Sequence, residues 1–91
     1  MYYLQTVRVV DKEVDDRRTV MVTNNLYDVV DTALNNKADI YERGFYQYAV
    51  IQKISEGLYP EWEDLLWFQY WDESCDAELI KPKDYCIPAI G

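Results

Sequence analysis

The first nine positions after Met1, residues 2–10 (YYLQTVRVV), are dominated by aromatic and β-branched side chains and predict a strand. Residues 11–18 (DKEVDDRR) hold a single apolar side chain, Val14. They read as a long hairpin connection, with strand able to extend into its base. Residues 19–23 (TVMVT) return as a short second strand.

The period then changes. Leu26, Val29, Val30, Ala33 and Leu34 recur at the spacing of one helical face. Thr23, Asn24 and Asn25 stand before them, and their side-chain oxygens suit the free N–H groups of a first helical turn. Asp28 adds a negative charge that the helix dipole favours there. Asn35-Asn36 marks an exit, although Ala38 and Tyr41 would continue the stripe.

After Gly44, residues 45–54 (FYQYAVIQKI) are the strongest strand pattern in the chain. One face would carry Phe45, Gln47, Ala49, Ile51 and Lys53, the other Tyr46, Tyr48, Val50, Gln52 and Ile54. Residues 56–60 (EGLYP) form a turn, and residues 65–72 a further strand, with Leu65, Trp67, Gln69 and Trp71 on one side. A helix over residues 61–66 is the alternative start to that segment, because Pro60 suits a first helical turn. Residues 78–80 can add a short edge strand, and the apolar, Pro-containing tail 85–91 would pack irregularly. The order strand, strand, helix, strand, strand predicts one α+β domain over residues 1–91. Its economical packing is an antiparallel sheet of about four strands with one helix across one face.

Composition adds function to this outline. Nine Tyr, three Trp and two Phe exceed what so small an interior usually encloses, and Tyr and Trp often finish half-exposed or at interfaces. The chain has 17 acids and 9 bases, a formal net charge of −8. That sign opposes direct binding to nucleic acid or anionic membranes, which need clustered Lys and Arg. The imbalance is local: residues 1–54 hold eight acids and seven bases, residues 55–91 nine acids and two bases. Between Glu56 and Glu78 lie eight acids and no base.

Several chemistries lack their parts. There is no His to serve as base, acid or metal ligand, and the two thiols, Cys75 and Cys86, form no CxxC pair. Cys75 sits beside Glu73, Ser74 and Asp76, and neighbouring negative charge disfavours a thiolate. Three glycines give no phosphate-cradling loop. Expected therefore are no enzyme activity, no metal and no cofactor. With no basic, apolar leader and no stretch of about 20 apolar residues, a cytoplasmic location with reduced thiols is expected.

The segment 59–73 (YPEWEDLLWFQYWDE) interleaves aromatics with acids. Such a surface attracts Lys and Arg at range and stacks their stems and guanidinium planes on contact. Trp67 and Phe68 read equally well as core residues of an amphipathic strand, whereas Tyr59 and Trp62 flank a Pro among charges. The candidate partner-binding residues are Glu56, Tyr59, Glu61, Trp62, Glu63, Asp64, Asp72, Glu73, Asp76 and Glu78. Two functions follow. One is a binding protein whose acidic, aromatic-rich face docks on a basic, nucleic-acid-handling protein. In size and charge, though in no motif, the chain is similar to small acidic phage inhibitors of CRISPR effectors or restriction enzymes, which mimic DNA. The other is a self-associating module, such as a homodimer, that buries its exposed aromatics against a copy of itself.

Overall fold

The structure, a computed structural model, describes residues 1–83. The tail 85–91 and Cys86 lie outside the described residues. Five strands, β1 (Tyr2–Val10), β2 (Glu13–Thr23), β3 (Tyr48–Ile54), β4 (Trp62–Trp71) and β5 (Asp76–Ile80), form one sheet in the order β2-β1-β3-β4-β5. Every neighbouring pair is antiparallel. A single helix, α1 (Leu26–Leu34), separates β2 from β3. The α+β class holds, and the sheet has five strands instead of about four. The fifth is β5, whose five residues pair fully with β4 from Trp67↔Ile80 to Trp71↔Asp76.

The third strand begins at Tyr48 instead of residue 45, because Phe45 closes a 3-10 turn with helical backbone angles, and the edge strand begins at Asp76 instead of residue 78. Two further boundaries differ from the pattern-based reading, each for a local reason. The connection between β1 and β2 is a two-residue turn at Asp11 and Lys12, both with positive φ (52° and 67°), as tight hairpins require. The charges of residues 13–18 therefore sit on paired strand, and β2 is 11 residues long. As an edge strand, it presents Asp15, Asp16, Arg17 and Arg18 where an apolar edge would invite another chain. At the other boundary, residues from Trp62 onward are strand, so the helical alternative for 61–66 does not form. Hydrogen bonds between Ser55 and Glu61, N–H to carbonyl at 2.9 Å and Glu61 N–H to the Ser55 hydroxyl at 2.8 Å, close the loop and start the ladder before a helical turn can nucleate.

The helix begins as its sequence predicts. The Asn25 side chain accepts the N–H of Tyr27 at 3.0 Å, and the helix ends on Asn35, whose N–H donates to the Asp31 carbonyl at 3.1 Å. Val29 and Ala33 are fully buried against the sheet, with Val30 and Leu34 at the margin. Leu26 opens the stripe but lies exposed. The stripe does not continue helically to Tyr41. Asn36, Ala38 and Asp39 take positive φ, breaking the chain into two short 3-10 turns. Tyr41 is nonetheless buried: it stacks on Tyr70 at 4.9 Å, and its hydroxyl donates to the Ala33 carbonyl at 2.8 Å. Burial pushes its phenol well above the usual range.

The main core lies between helix and sheet, built from Leu4, Ala49, Ile51, Phe68, Tyr70 and Ala77 under Val29, Ala33, Ile40, Tyr41 and Tyr46. A second cluster, Val7, Val50 and Trp67, lies on the opposite face of the sheet. Beside it, a side-chain hydrogen-bond chain crosses four strands. Arg17 donates to Gln5 at 3.4 Å, Gln5 to Gln52 at 2.7 Å, and Gln52 to Asp64 at 2.8 Å.

Candidate partner-binding surface

The residues with candidate function are distributed along β4, β5 and the connections at their two ends. Glu56, Tyr59 and Glu61 belong to the β3–β4 loop, and Trp62, Glu63 and Asp64 open β4. Asp72 and Glu73 form the β4–β5 turn, while Asp76 and Glu78 lie on β5. Seven residues of β4, 65–71, separate Asp64 from Asp72, about 25 Å at the usual rise per residue. They do not meet as one compact patch. They line one side of the molecule, along the β4–β5 edge and around both its corners.

A bulge decides which of them share a face. Ile51 pairs with Leu66 but Gln52 pairs with Asp64, so Leu65 is an extra residue. That insertion reverses the alternation and puts Trp62 and Asp64 on the same side as Trp67, Gln69 and Trp71, away from the helix. On β5, the same side carries Asp76, Glu78 and Ile80. Glu63 falls opposite Lys53 on the helix side. The Lys53 ammonium lies 5.9 Å from the centroid of the Tyr2 ring. Around the loop base, Lys53, Ser55, Glu61, Trp62 and Glu63 line a shallow cleft of about 310 Å³.

All eight acids between Glu56 and Glu78 are exposed. Three ion pairs are present among the described residues: Arg8–Asp15 (3.4 Å), Arg18–Glu42 (3.3 Å) and Lys37–Asp31. Each uses an acid from the first half of the chain. Asp64 and Asp76 receive hydrogen bonds from Gln52 and from the Ser74 hydroxyl, which orient them without neutralising them. The unbalanced charge of the sequence is therefore unbalanced on the surface as well.

The aromatics divide sharply. Trp67 and Phe68 are 1% exposed and belong to the two cores, whereas Tyr59 is 84% exposed. Trp62 is half-buried and packs on Tyr3, with ring centroids 5.6 Å apart. The pattern of the sequence does not single out three further residues here. Leu58, beside Tyr59 at the loop tip, is 87% exposed, Trp71 is exposed at the far corner, and Tyr3 of β1 completes the Trp62 pair. Leu58 was legible in principle, because an apolar residue between Gly57 and Pro60 has no strand or helix to bury it. Tyr3 was not, since its contact depends on strand order. Among the described residues, no group of three or more Cys, Asp or Glu side chains is arranged to hold a metal ion. No helix there is long and apolar enough to cross a membrane.

At the turn end, the Asp72 carboxylate lies close to the Gly44 backbone. Gly44 has φ +97°, and a Cβ built on it would lie 2.6 Å from the Asp72 carboxylate. Gly44→Ala is expected to destabilise by about 1–2 kcal/mol, chiefly from backbone strain at this φ, because the exposed Asp72 carboxylate can turn aside at little cost. Adding Asp72→Ala should therefore recover little, leaving the strain. Urea unfolding of the three variants checks this, and complete recovery would mean that the backbone tolerates alanine there. No protein-family model, curated protein or solved structure matches this chain.

Proposed function

We propose that this protein is a non-enzymatic binding protein that docks its acidic β4–β5 side on a basic surface of a protein partner. One observation carries the reading: eight exposed carboxylates, none in an ion pair, line a side of the molecule with no base between them in sequence. Unpaired surface charge of one sign steers an oppositely charged partner and raises its association rate. A basic surface that suits a row of carboxylates also suits a phosphate backbone. The proposed action is thus occupation of the nucleic-acid path on a nucleic-acid-handling enzyme, that is, inhibition by mimicry of DNA. Leu58 and Tyr59 at the loop tip favour a second reading, self-association, in which exposed apolar surface buries against a copy of the chain.

Charge reversal separates the two. Asp15 and Asp16 are poor controls, because Asp15 pairs with Arg8 and the Asp16 carboxylate accepts the Tyr46 hydroxyl at 3.0 Å. Asp11 and Glu13 are exposed at the opposite end of the sheet's other edge and better suited. Glu61→Lys with Glu63→Lys should slow association with a captured basic partner about tenfold at low salt. Asp11→Lys with Glu13→Lys changes net charge equally and should do much less. The gap should close as salt shortens the screening length below about 8 Å. Equal effects of the two pairs, together with concentration-dependent self-association that salt does not weaken, would overturn docking in favour of assembly.

A further inference from the structure

The loop between β3 and β4 is tied at its base and apolar at its tip. Ser55 and Glu61 close it with hydrogen bonds of 2.9 and 2.8 Å. Among the described residues, Leu58 and Tyr59 are the most exposed large apolar side chains. The backbone that presents them is unusual. Gly57 takes φ +108° with open space where a Cβ would stand, and Tyr59 takes φ +57°. A bulky residue seldom adopts that region, and a residue before proline is further biased toward extended backbone. Tyr59 thus carries backbone strain that no burial of its ring offsets. Strain of this kind gathers at ligand clamps and other working sites.

We infer that this tip is the anchor of the docking surface, and that its counterpart on the partner protein is an apolar patch bordered by Lys and Arg. The inference rests on the docking reading and adds a contact that charge alone does not require. The surroundings of the tip choose this occupant. Glu56 and Glu61 flank it in sequence and Glu63 follows; all three are exposed, and none joins an ion pair among the described residues. Lys53, at the foot of the loop, has its ammonium 5.9 Å from the Tyr2 ring centroid and forms no ion pair with them. An apolar centre with a charged rim is the ordinary anatomy of a specific interface, here with a rim of one sign. In a two-fold dimer through the tip, each copy would bring the same carboxylates to face the other's, and like charges so placed are unfavourable. A basic border turns that repulsion into attraction. The carboxylates then act at range and set association, while Leu58 and Tyr59 act after contact and set dissociation.

Titration of the whole chain with two peptides, followed by nuclear magnetic resonance, tests this. One is an amphipathic peptide of leucine and lysine; the other has serine for leucine at equal length and charge. The leucine peptide is expected to bind about tenfold more tightly, to shift the Leu58 methyl and Tyr59 ring signals, and to lose its advantage in Leu58→Ser with Tyr59→Ser. Glu61→Lys with Glu63→Lys should weaken both peptides alike. Equal binding of the two peptides, with shifts confined to the acids, would overturn the anchor and leave docking by charge intact. An advantage that survives the double serine substitution would overturn it too. Failure of either peptide to bind at all would overturn the docking reading and the anchor with it. Leu58 and Tyr59 signals that move with protein concentration before any peptide is added would make a second copy the occupant instead.

Discussion

Phe68→Ala is expected to lower the unfolding free energy by about 3–5 kcal/mol, the usual loss for a large aromatic removed from a packed core. Phe68 is 1% exposed on β4, opposite Ala49 of β3, in the cluster that also holds Leu4, Ile51, Val29 and Ala33. Ala49 on β3 and Ala33 on α1, in the same cluster, have side chains that cannot extend to fill a void, and β4 is fixed by ladders on both sides. Poor relaxation places the loss toward the upper part of that range. A domain of this size has only about 5–15 kcal/mol of stability, so the variant should unfold at a markedly lower urea concentration. Leu58→Ala is the contrast: the same kind of deletion at a residue 87% exposed should change stability by less than about 0.5 kcal/mol. Similar losses at the two sites would mean that the loop tip is packed, which would remove it from any interface.

How far the sequence could lead depended on whether a residue's surroundings were local. The helix was legible because its cap, its stripe and its exit lie within about a dozen residues, and Asn25, Val29, Ala33 and Asn35 do what their spacing implies. The alternation of β3 and of the second half of β4 was legible for the same reason. The chain placed Trp67, Gln69 and Trp71 on one side by simple period, and the register agrees. Trp62 and Asp64 could not be assigned to that side, because the Leu65 bulge is a property of the β3–β4 pairing and leaves no mark in the pattern. The β1–β2 turn was hidden by composition. Eight consecutive, mostly charged residues look like a loop, and only pairing with the partly apolar β1 makes six of them, 13–18, strand. As to the candidate site, sequence segregation of charge identified which acids are concentrated, but not that β4 would hold them in two groups at its ends.

The buried glutamine pair on the face away from the helix makes the last and most discriminating prediction. Gln5 and Gln52 are 0% and 2% exposed, in strands that are otherwise rich in Val, Ile and Ala, and they bond each other at 2.7 Å. Gln52→Leu removes the acceptor for the Gln5 amide and leaves that amide buried without a partner, a loss of about 1–3 kcal/mol. Gln5→Leu strands the Gln52 carbonyl oxygen in the same way and should cost a similar amount. The outer members of the chain are less exposed to this penalty. Arg17 is half-buried and Asp64 is exposed, so both can turn to water when their glutamine is gone. Replacing both glutamines with leucine leaves no orphaned amide between β1 and β3 and puts two side chains of similar length beside Val7, Val50 and Trp67. The double variant should then lie close to the unaltered protein in stability, because matched apolar replacement of both partners is often nearly neutral. The double-mutant cycle should show a coupling of about 1–3 kcal/mol, read from urea unfolding of the four chains at one pH. Additive losses would show that each glutamine is satisfied independently of the other. They would also mean that the chain from Arg17 to Asp64 is a coincidence of register, with no cooperative link across β2, β1, β3 and β4.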